Sequence, residues 1–127
     1  MGTRSLTFVY DHDEAILNLY RQFDGYPEGH GAELAEFLNG IDAVTNGIRL
    51  GETRRTANGM GCLAAQLVAH FKNSVGGFYI YSVNTTDCGQ DYEYHVYEDR
   101  VVVKTYNGKE LFNGSWSDFH NFCYQEA

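Results

Sequence analysis

Leu6, Phe8 and Tyr10 alternate with Thr7 and Val9, the charged Asp11-His12-Asp13-Glu14 interrupts, and Leu17, Leu19 and Phe23 then alternate with Asn18, Tyr20 and Gln22. Two period-2 runs around a short polar turn predict an antiparallel hairpin. From Gly31 the period changes. Leu34, Phe37, Leu38 and Ile41 recur every three or four residues, Asn39-Gly40 closes the run, and a short helix is expected with Glu33 and Glu36 nearer its positive end. Ile41 to Ala57 is irregular and reads as loop, with a short extended piece around Ile48 to Leu50. The strongest helical stripe follows: Leu63, Ala64, Leu67, Val68 and Phe71, with Asn58 as N-cap and Gly76-Gly77 as the stop.

After Gly77 the pattern is that of strands. Phe78 to Val83 is Tyr-rich, Tyr92 to Tyr97 alternates, Val101 to Tyr106 is β-branched, and Asn107-Gly108 predicts a tight turn into Glu110 to Asn113. These four are expected to form a meander. Ser115 then caps a terminal helix carrying Trp116, Phe119 and Phe122. The fold expected over residues 1–127 is a single α+β domain of order ββααββββα, an antiparallel sheet of about six strands with helices on one face.

Composition narrows the function. At 127 residues the chain can bury a core without disulfide or metal staples. A formal charge of −8 argues against gripping a phosphate backbone or an anionic membrane, and fits a basic target or mimicry of nucleic acid. No apolar run approaches the roughly 20 residues of a membrane span, and the first residues lack the apolar core of a signal peptide. Cys62, Cys88 and Cys123 form no C-x-x-C pair, so a reducing, cytoplasmic setting without a zinc ribbon is expected. Tyr79, Tyr81, Tyr92 and Tyr94 are placed on sheet faces, where an aromatic surface would suit a partner protein or a second copy.

Two stretches carry candidate chemistry. In FDGYPEGHGAELAEFL, turn formation explains the glycines and the proline but leaves Tyr26, Glu28 and His30 over. In RRTANGMGCLAAQ, Arg54, Arg55, Asn58, Gly59 and Gly61 supply guanidinium forks and free amides at a helix mouth, the chemistry of an anion site. Neither a P-loop nor a G-x-G-x-x-G motif is present. The leading expectation is a non-enzymatic protein without cofactor or metal, binding a small anion such as a nucleotide, or a host protein. Tyr26 would stack, His30 would donate, and the arginines and glycine amides would hold the anion, provided both stretches open onto one hollow. The enzymatic alternative is a hydrolase or transferase using His30 with Asp24 or Glu28, or Cys62 as nucleophile with His30 or His70 as base. A third alternative is an acidic inhibitor. Asp11, His12 and Asp13 cannot share a metal with Asp24, Glu28 and His30, since a straight strand sets them roughly 30 Å apart.

YRQFDGYPEGHGAELAEFL, NGMGCLAAQLVAHFK and GGFYIY together resemble a family of small uncharacterised proteins of phage and prokaryotic genomes. The resemblance runs through most of the chain up to Tyr81. It implies a common fold and no activity, and a virus-encoded setting implies a role in binding and neutralising a host component.

Overall fold

The computed structural model describes residues 2–45 and 56–125. In chain order the elements are β1 (Ser5–Asp11), β2 (Glu14–Arg21), a π-helical turn (Pro27–Gly31), α1 (Ala32–Asn39), β3 (Ala43–Thr45), β4 (Thr56–Asn58), α2 (Gly59–Phe71), β5 (Phe78–Ile80), β6 (Tyr92–Val96), β7 (Val101–Thr105), β8 (Glu110–Gly114) and α3 (Trp116–Gln125). This is the expected α+β class, with β3 and β4 added as a small parallel pair. The extended piece expected around Ile48 to Leu50 lies outside the described residues.

The hairpin forms where the alternation places it. Asp11 pairs with Glu14, and His12 takes the turn in the left-handed region at φ 59°. A bulge between Val9 and Tyr10 shifts the register, so Val9 faces Leu17 while Tyr10 faces Ala15. The sheet order is β5-β2-β1-β6-β7-β8. Here the structure departs from the antiparallel expectation, because β1 pairs with β6 in parallel and the sheet is mixed. β5 runs antiparallel to β2 at the far edge, so the chain must cross the sheet before β6 can lie beside β1. The meander is therefore β6, β7 and β8 alone.

All three helices cover one face. Val9, Leu17, Leu19, Val96, Val101 and Val103 from the strands meet Leu34, Leu38, Leu63, Leu67, Phe71 and Phe119 from the helices in one core. The stripe read from the sequence is the buried side of α2, with Met60 added. Asn58 precedes that helix, but its side chain does not cap it. Ser115 does cap α3, its Oγ accepting the Asp118 amide at 3.1 Å.

The other face carries a second, smaller cluster of Leu6, Phe8 and Tyr20, with Tyr10, Ala15, Tyr81 and Cys88 against it. The connection after β5 lies over this cluster, pinned by Asn18 Nδ2, which donates to the carbonyls of Ser82 at 3.0 Å and Thr85 at 3.1 Å. Tyr92 and Tyr94 belong to the helix side instead, Tyr94 fully buried and donating its hydroxyl to the Gly25 carbonyl at 2.7 Å. On the outer side the rings stack on one another. Tyr81 lies on Tyr20 at 5.0 Å, and Tyr97 is held between Tyr10 at 4.4 Å and the Arg100 guanidinium at 4.0 Å. Among the described residues, no helix is long and apolar enough to cross a membrane.

Candidate functional site

The Tyr26 to His30 loop is built by backbone crowding. Asp24 sits at φ 62°, its carbonyl accepts the His30 amide at 2.8 Å, and the Gly25 amide reaches Thr3 O at 2.9 Å. A Cβ on Gly25 would stand 2.8 Å from backbone and side-chain atoms of Arg4 and Ser5. His30 is fully buried. Its Nδ1 lies 3.3 Å from Arg21 Nη1, which can only donate, so the ring proton sits on Nε2, 2.7 Å from Thr7 Oγ1. Burial, then the neighbouring Arg21 charge, pushes its pKa down to about 3. The ring packs on Phe71 and edge-on to Tyr94. His30 is thus a neutral core group with both nitrogens engaged, not the donor to a ligand that the sequence suggested. It meets neither Asp24 nor Glu28 for proton transfer. Tyr26 and Glu28 stand exposed on the surface.

The helix mouth lies elsewhere. Asn58, Gly59 and Gly61 line a cleft of about 470 Å³ together with Asp11, His12 and Glu98. Asp11 ends β1, whereas the Tyr26 to His30 loop packs on Ser5 at its start, so the length of a seven-residue strand, roughly 20 Å, separates the two stretches. They do not open onto one hollow. Arg54 and Arg55 lie outside the described residues. The carboxylates of Asp11 and Glu98 complement the positive end of α2 and oppose a bound anion. Gly59 is required by its φ of 79°, but a Cβ on Gly61 would meet nothing within 4 Å. Gly61→Ala is therefore expected to stabilise the protein by about 0.5–1 kcal/mol, read as a raised midpoint in urea denaturation.

The thiol–imidazole pairs are not assembled either. Cys62 is half-buried and its Sγ faces Gln66 Oε1 at 3.8 Å. His70 lies eight positions further along α2, about 12 Å along the axis, packed between Phe37 and Phe71. Among the described residues no cluster of His, Cys, Asp and Glu is arranged to hold a metal ion.

The parallel β1–β6 pairing creates two arrangements the sequence did not reveal. It sets the turn of Asp11, Asp13 and Glu14 beside the turn of Glu98 and Asp99, gathering five carboxylates that look scattered along the chain. It also sets Tyr10 beside His95. The phenol donates to His95 Nδ1 at 2.7 Å while His95 Nε2–H donates to Glu93 Oε1 at 3.1 Å. The His95 bond holds Glu93 below the usual carboxylate range, and burial pushes Tyr10 up to about 12. The trio ties β1 to β6.

A further cleft lies between helices. α1 is tied to α3 by Asn39 Nδ2, which donates to Trp116 O at 3.0 Å, and by Tyr124 OH, which donates to Glu36 Oε1 at 2.8 Å. Between α1 and α2 a cleft of about 550 Å³ remains, lined by the apolar Phe37, Ile41 and Ala69 and the polar Glu36, Gln66 and His70. At Glu36 and His70 it meets a second cleft of about 260 Å³ lined by Arg21, Glu33 and Asn73. Phe37 and Ile41 read in the sequence as buried positions, and no local signal told that the helix facing them would stand apart. No family model matches the chain, and comparison with curated proteins and with solved structures finds no match.

Proposed function

We propose that this chain is a binding protein whose partner is a basic protein segment with an apolar anchor, held in the groove between α1 and α2. The observation that carries this reading is the groove itself: a partly apolar lining of ligand-accommodating size beside a rim where Glu36 supplies negative charge and Glu33 is ion-paired with Arg21. Glu33 accepts one bond from Arg21 and Glu36 one from Tyr124, so each carboxylate keeps acceptor sites for an incoming guanidinium or ammonium group. His70 adds a polar group for a main chain passing along the rim. The net charge of −8 steers a cationic partner toward the molecule. Support for a nucleotide is weaker, because Asp11 and Glu98 occupy the helix mouth that would receive its phosphates.

The test is NMR shift mapping with two amphipathic peptides, one of Leu and Arg, one of Leu and Glu. Shifts confined to Phe37, Ala69 and His70, produced by the Arg peptide alone and weakened by salt, are the expected result. Ala69→Trp, which fills the groove, is expected to abolish them without lowering the melting temperature. An unresponsive groove at millimolar peptide overturns the proposal, as do shifts located at Asp11 and Glu98, which would transfer the contact to the acidic turns.

A further inference from the structure

The two edges of the six-stranded sheet are treated differently. At β5 the outward groups of Phe78 are occupied: its amide bonds Gly76 O at 2.9 Å, and Lys72 Nζ donates to Phe78 O at 2.9 Å and Gly76 O at 3.0 Å. An ammonium lying along a three-residue strand blocks the addition of another. β8 has no such guard. The bonds from Tyr97 N to Arg100 O and from Thr105 N to Lys109 O fix the alternation on β7, so Phe112 and Gly114 turn their main chain toward it. Asn113 then points its N–H and C=O away from the sheet, and its side chain is exposed. Among the described residues none bonds to these groups.

The aromatic layer beneath this edge is also unfinished. Phe112 stacks on Phe122 at 4.9 Å and lies 5.9 Å from Phe119, yet only Phe119 is fully buried. Phe112, Phe122 and Leu111 are left half-covered along the open side. Local charge permits a like neighbour. From Lys109 to Ser115 the chain carries one lysine and one glutamate, a neutral stretch in a molecule of charge −8.

We propose that β8 is the self-association edge of this protein, pairing antiparallel with β8 of a second copy about a two-fold axis at Asn113. The two Asn113 residues exchange main-chain hydrogen bonds, and the half-covered phenylalanines of each copy close over those of the other. A second copy suits this edge better than a foreign strand, because strand polarity, neutral charge and the aromatic layer are each complementary to themselves. The proposal is independent of the groove, which lies between α1 and α2.

Light scattering behind size exclusion, with hydrogen exchange on the same samples, decides it. The wild type and Asn113→Ala are expected to be dimers, and Asn113→Pro, which removes the outward N–H and none of those bonded to β7, a monomer with an unchanged circular dichroism spectrum. The Asn113 amide of the dimer is expected to exchange at least tenfold more slowly than that of diluted monomer. A wild type that stays monomeric up to about 1 mM overturns the proposal. So does a dimer whose Asn113 amide exchanges freely, a reading that needs no variant.

Discussion

Acidification from pH 7 to pH 5 is expected to lower the stability of this protein steadily, and His30 is the reason. In the folded state the ring is buried between Phe71 and Tyr94, with Arg21 donating to its one free lone pair, and its pKa is held down at about 3. In the unfolded chain it returns to an ordinary value near 6.5. Below that value the unfolded state takes up a proton that the folded state refuses, so stability is complete above about pH 6.5 and falls as the pH drops toward 3. Glu93, held below the usual carboxylate range by His95, contributes in the same direction but only once carboxylates begin to titrate. Urea midpoints at pH 7, 6 and 5 isolate the histidine. The wild type is expected to lose on the order of 1–2 kcal/mol over this window, and His30→Phe, although less stable throughout, is expected to lose much less. Equal midpoints for the wild type at pH 7 and 5 would contradict a buried neutral ring.

Gly25→Ala is expected to destabilise the fold by about 2–3 kcal/mol, the opposite sign to the same change at Gly61. The added methyl at Gly25 meets Arg4 and Ser5 at 2.8 Å, and the nearest atoms include backbone at the start of β1 that cannot move without disturbing its pairing to β2 and β6. Any shift of Gly25 also strains the bond from the buried Tyr94 hydroxyl to its carbonyl. Urea denaturation of the two alanine variants side by side measures the contrast. A Gly25→Ala protein as stable as the wild type would mean that the loop has more room than its geometry shows.

The sequence made visible what depends on neighbours along the chain. The hairpin alternation, the α2 stripe, the Ser115 cap and the turn at Asn107-Gly108 are each decided within a few residues, and each stands where it was read. What failed was partner choice. A run of alternating residues fixes which side chains share a face, but nothing within Tyr92 to Val96 says that β6 lies beside β1, or in which direction. The error about the helix mouth follows from that. The helix mouth was credited with a free positive field, while the parallel pairing brings Glu98 into its cleft. His30 looked like a loop histidine because glycines flank it, yet those glycines let the chain turn the ring inward. The groove between α1 and α2 left no trace in the sequence, since a residue lining a cleft and a residue filling a core have the same periodicity.

The position of β1 in the centre of the sheet also governs how the protein comes into being on the ribosome. Ser5 to Val9 acquires one neighbour almost at once, from the hairpin, but the other arrives only when Tyr92 to Val96 has been synthesised, several seconds later at about 5–20 residues per second. Until then the nascent chain leaves one flank of its most buried strand without a neighbour. The centre of the sheet is complete only once Val96 has been made, and a chain released before that point has no finished sheet to fold onto.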